Sequence, residues 1–148
     1  MSISSDLSPG VLLRTAYRPE YPGSQLVRQE LELSAGTYLA TQGNIVLQVD
    51  GRGSRGRGED WRRQLGEEGL GLADVEDQTK TLRYVLEKFS FISKRRVGVL
   101  GSQYGGWLAA MILANSGVVQ CGVFTDPIMQ LDQLGGFNKH LPVRNFEK

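Results

Sequence analysis

The sequence predicts an α/β fold of about four mostly parallel strands with flanking helices. Three observations carry this. Four short apolar runs alternate with stretches of helical spacing, the pattern that parallel strands joined by crossover helices require. The run Val97–Leu100 passes through a glycine-flanked turn straight into an apolar helix. The chain has 148 residues, 40% of them hydrophobic, enough to bury one core in a single domain.

The elements follow in chain order. VLLRTAY (11–17) is the first strand. Residues 26–42 are expected as a helix on the imperfect apolar face Leu26, Leu31, Leu33, Tyr38 and Leu39. NIVLQVD (44–50) is the second strand and ends in the loop GRGSRGRG. The clearest helix runs from Asp74 to Phe89. Val75, Leu82, Val85, Leu86 and Phe89 recur at three- and four-residue spacing, and Asp74 is placed to cap its start. A basic connection, Ser93 to Arg96, leads to the third strand, Val97–Leu100. A helix from Gly105 to Asn115 and a fourth strand from Val119 to Thr125 follow, with Asp126-Pro127 as the stop. Residues 135–148 are glycine-rich and polar at their start and are expected to form a poorly ordered tail of the same domain.

Seventeen Lys and Arg against sixteen Asp and Glu leave a net charge of +1, so no global field favours nucleic acid or an acidic membrane. Either partner would need a local patch. The single cysteine, Cys121, excludes an internal disulfide and a cysteine-based zinc site, and its apolar neighbours predict a buried small hydrophobe. No metal or cofactor is expected. The N-terminus lacks a basic-then-apolar signal pattern, and no apolar run is long enough to span a bilayer.

The turn Gly101-Ser102-Gln103-Tyr104-Gly105-Gly106 has the glycine spacing of the G-x-S-x-G nucleophile elbow, a sharp strand-to-helix turn with little room for flanking side chains. Its central residue is Gln103 instead of serine. With this turn, YPGSQ (21–25), TYLATQGNIVLQVDGRGS (37–54), LGLADVEDQ (70–78) and CGVFTDPI (121–128) give the segment from about Val11 to Phe137 its resemblance to a known family. It resembles the catalytic domain of the dipeptidyl peptidase IV branch of the prolyl oligopeptidase serine peptidases.

The resemblance implies a partial α/β-hydrolase fold and a peptidase that removes N-terminal Xaa-Pro dipeptides with a Ser, Asp, His triad. It places the nucleophile at Gln103, an oxyanion-hole N–H at Tyr104, and the oxyanion tyrosine at Tyr17 or Tyr21. An amide nitrogen is delocalised into its carbonyl and cannot be activated as a nucleophile. Ser102 adjoins it, but only the central side chain of an elbow reaches the mouth of the sheet. The family's acid and histidine lie several dozen residues beyond the elbow, whereas 45 residues follow Gln103 here (148 minus 103). His140 reads as an exposed histidine, and neither Asp126 nor Asp132 makes a credible triad acid. The resemblance therefore implies a truncated, catalytically inactive relative whose role, if any, is in protein interaction. The alternative is a segment of an active serine-type dipeptidyl peptidase. Relatives are cell-surface or secreted proteins, but no anchor is expected here.

GRGSRG (51–56) formally satisfies G-x-G-x-x-G after a strand, with Asp74 and Glu76 at the distance of a ribose-binding acid. Asp50, Glu59 and Asp60 argue against dinucleotide binding, because they place negative charge where a pyrophosphate would sit. Arg52, Arg55, Arg57, Arg62 and Arg63 form a local basic patch, but Trp61 stands alone and offers no interleaved aromatics for nucleic acid. Arg52 is expected to be structural. The hydrolase topology implies the strand order 44–50, 11–17, 96–100, 119–125. Open edges on both sides would then invite self-association or a protein partner.

Overall fold

The computed structural model describes residues 9–15, 36–52, 60–61, 64 and 71–129. Among the described residues, the fold is carried by β1 (Gly10–Thr15), β2 (Asn44–Gln48), α1 (Leu72–Lys88), β3 (Val97–Ser102), α2 (Tyr104–Ser116) and β4 (Cys121–Thr125). Residues 36–41 are helical, and the rest of the helix expected over 26–42 lies outside the described residues. The four strands form one sheet in the order β2-β1-β3-β4, with every pairing parallel. This is the expected order, and it makes β3 an interior strand.

Interior parallel strands are covered on both faces and so carry apolar residues almost continuously. Val11 and Leu13 of β1 and Val97 and Val99 of β3 are buried, packed with Leu82 and Leu86 of α1 and Leu108 and Ile112 of α2. Each such side chain stabilises the fold by roughly 2 kcal/mol.

The ends of the elements move for identifiable reasons. β2 stops at Gln48, since the Val49 carbonyl accepts a hydrogen bond from the Gln78 amide of α1 (3.0 Å). β3 runs on to Ser102 because Gly101 and Ser102 pair with Phe124 and Thr125. β4 begins only at Cys121. The amide of Val119 is turned toward the Ser116 hydroxyl, and that of Gln120 reaches back to the Val97 carbonyl.

Three expectations are corrected. Asp74 does not cap α1 from outside: Gly71 is the cap, at φ 104°, and Asp74 accepts its N–H from inside the first turn (3.1 Å). A side chain on Gly71 would meet the Trp107 ring. Phe89 leaves the apolar stripe, because the helix ends there in extended backbone, and Ile92 fills the core position beyond it. Cys121 is exposed, since among the described residues β4 has a neighbouring strand on one side only, and most of its residues are exposed.

Candidate functional site

The turn between β3 and α2 is built by three converging pieces of backbone. Gln103 caps α2 at φ 54° and ψ −120°, a region that residues with a side chain rarely occupy. Its own peptide groups are held both by the first turn of the helix and from outside it. The Gln103 N–H donates to the Thr125 carbonyl at the end of β4 (2.9 Å), and its carbonyl accepts from Trp107 N–H (3.1 Å) and Ile128 N–H (3.2 Å). The loop after β4 thus straps the turn from both sides, and the Gln103 side chain is left exposed at the top of the sheet.

Gly101 has no alternative in this packing. A Cβ there would run into the Gly105 carbonyl and the Thr15 hydroxyl. Thr15 is buried at the end of β1, and its hydroxyl donates to the Gly105 carbonyl at 2.6 Å, with the Leu100 carbonyl a longer second acceptor at 3.2 Å. Close contact between β1, β3 and the first turn of α2 is what the glycine spacing permits.

Tyr104 follows Gln103 and turns inward. Its hydroxyl donates to Asp74 (2.7 Å), and its ring stacks on Trp107 at 5.6 Å. Asp74 therefore serves two helix starts, taking the Gly71 N–H of α1 and the Tyr104 hydroxyl of α2. Burial pushes the Asp74 carboxyl above its usual range, opposed by the Tyr104 and Gly71 hydrogen bonds.

The glycine loop after β2 is tied down structurally. Arg52 donates from Nε to Asp77 (3.1 Å) and pairs through Nη2 with Glu76 (2.6 Å), and its backbone N–H reaches Asp77 at 2.7 Å. Trp61 Nε1 donates to the Gly51 carbonyl. Lys80, and then Arg52, hold the Glu76 carboxyl below its usual range. Asp74 and Glu76, the acids at ribose-binding distance, are thus both engaged by other side chains.

Gly101, Ser102, Gln103, Tyr104 and Gly105 run from the end of β3 through the turn into the first turn of α2. Ser102 is the exposed last residue of β3, and Asp126 is exposed within the 125–128 strap at φ 45°. Tyr17, Tyr21, Asp132, His140, Arg55, Arg57, Arg62 and Arg63 lie outside the described residues. Thr15, Asp74 and the 125–128 strap went unrecognised as parts of the site, because each acts through a tertiary contact that no local pattern encodes. Among the described residues no group of three or more His, Cys, Asp or Glu could hold a metal, and no helix is long and apolar enough to cross a membrane.

Residues 31–145 match the sequence profile of the prolyl oligopeptidase family. Dipeptidyl peptidase 4 of Sus scrofa is 38% identical over 109 residues, 72% of this chain and 14% of that protein. The chain thus spans a small part of that relative's length. Among solved structures, dipeptidyl peptidase 4 of Porphyromonas gingivalis superposes with a TM-score of 0.60 at 25% identity, over 83% of this chain and 17% of that one. A puromycin-hydrolyzing peptidase of Mycobacterium tuberculosis gives 0.68 at 22% identity, over 89% and 19%, a likeness of fold.

Proposed function

Since the chain belongs to the prolyl oligopeptidase family as a dipeptidyl peptidase IV-like member with an α/β-hydrolase fold, we propose that it is a catalytically silent member in which Gln103 occupies the position of the acylating serine. The observation that carries this is the backbone of Gln103 itself. A glutamine sits at the centre of the glycine-spaced turn, in the strained conformation of a nucleophile elbow, with its side chain exposed.

Covalent acyl transfer needs a hydroxyl, thiol or comparable group, and a planar amide gives up neither its lone pair nor a proton to a neighbouring base. By the family resemblance, the Tyr104 N–H and either Tyr17 or Tyr21 would supply the oxyanion hole that polarises a carbonyl. Polarisation without an attacking group leaves only the residual rate that binding and an oxyanion hole provide. In this reading the hydrolase-like surface, including the outer strands of the sheet, serves protein contact.

A second reading has one observation in its favour. The match to dipeptidyl peptidases 4 covers most of the chain, as a segment of an active serine-type dipeptidyl peptidase would. One assay tests the silent reading. The purified chain is incubated with a Gly-Pro chromogenic substrate and, separately, with a fluorophosphonate probe. The silent reading expects neither turnover nor covalent label, and turnover abolished by the probe would overturn it.

A further inference from the structure

At the end of the sheet away from Gln103, the chain leaves α1 through a short turn and enters β3. This turn is anchored from within. Ile92 and Ser93 are buried, Ser93 N–H donates to the Pro9 carbonyl (3.0 Å), and Ile92 and Arg96 close back on Phe89 and Ser93 through their backbone N–H groups. The side chains around the anchor face outward. Phe91 is 58% exposed, Tyr84 57% and Phe89 38%.

They form one patch. The Phe89 and Phe91 rings lie 5.7 Å apart, and Lys88 Nζ stands 5.1 Å from the Tyr84 ring and 5.8 Å from the Phe89 ring. Lys94, Arg95 and Arg96 follow, all exposed. Residues 84–96 hold four cations and one acid, Glu87, in a chain that is otherwise close to neutral. Isolated exposed apolar residues are ordinary, but rings in contact with one another beside unbalanced cations are a different surface.

We propose that residues 84–96 form a docking surface for an anionic bilayer, with Phe91 entering the interface and Lys88, Lys94, Arg95 and Arg96 answering the lipid charge. Charge complementarity requires an anionic partner, and the rings require an apolar medium in the same place. A bilayer of acidic lipids supplies both. Nucleic acid fits less well, since the Phe89 and Phe91 planes are inclined at 57° and give successive bases no parallel platform. An acidic peptide satisfies the cations and leaves Phe91 in water.

The test is co-sedimentation of the full chain with vesicles of phosphatidylcholine alone and of phosphatidylcholine with phosphatidylserine. Binding is expected only with phosphatidylserine and is expected to weaken as salt rises. Phe91→Ser should lower partitioning about tenfold. The double reversal Lys94→Glu, Arg95→Glu should lower it about twentyfold or more, at roughly fivefold per cation. All three side chains are exposed, so circular dichroism should show the variants folded as the parent. Absence of binding to phosphatidylserine vesicles overturns the proposal, as does binding that Phe91→Ser leaves unchanged. Equal affinity for polyglutamate or single-stranded RNA overturns it as well, by assigning the patch to a protein or nucleic-acid partner.

Discussion

Gln103 holds a backbone conformation that its own side chain disfavours, at a cost of about 1–3 kcal/mol. The strap from Thr125 to Ile128 and the first turn of α2 impose it. Glycine adopts this conformation freely and gives back roughly 0.5–1 kcal/mol through its looser unfolded state. Gln103→Gly should therefore stabilise the protein by about 1 kcal/mol, measured by urea denaturation with an unchanged slope. A lower midpoint would show that the glutamine side chain itself contributes contacts. The turn was legible in the sequence because Gly101, Gly105 and Gly106 mark a place without room for side chains. Thr15 was not, since a threonine at a strand end says nothing about a carbonyl 90 residues away.

Between elements, Asp74 fastens the start of α1 to the start of α2. Its folded pKa is raised by burial above the usual 3.8. The folded state then binds the proton more tightly than the unfolded one, so this group's stabilising contribution is complete below 3.8 and falls as pH rises through the raised value. Asp74→Asn keeps an oxygen for both donors and removes the titration. The stability difference between variant and parent should shift in favour of the variant as pH rises through that window, read as melting temperature against pH. Glu76 titrates with the opposite sign, its contribution lost as pH falls below 4.5, but it is present in both proteins and cancels. Parallel melting profiles would count against the assignment. The periodicity of Val75, Leu82 and Leu86 showed where α1 lies, and the β-rich runs showed the strands. Their ends depended on hydrogen bonds made elsewhere, such as Gln78 to Val49. Phe89 was misplaced because spacing alone cannot tell the last residue of a helix from the first beyond it.

For the whole molecule, β2 and β4 are the outer strands of the described sheet. Val123 is 65% exposed and Phe124 38%, so β4 presents apolar side chains on both faces along with a backbone edge that no described strand pairs. Such an edge recruits another strand unless charge blocks it. The expected outcome in analytical ultracentrifugation is a sedimentation coefficient that rises with concentration, and Val123→Lys should return it to the monomer value. A parent that sediments as a monomer at every concentration would remove the edge from consideration.

The strand order also sets the sequence of events by which the molecule assembles. β1 meets β2 across 34 positions (Val11 to Ile45), but it meets β3 across 86 (Val11 to Val97). Closing the longer loop costs more entropy and takes longer, so the first two strands can find each other before the third arrives. The contorted peptide at Gln103 cannot be imposed until β3 and β4 have both docked, which makes the most distinctive point of the structure one of its last to take shape.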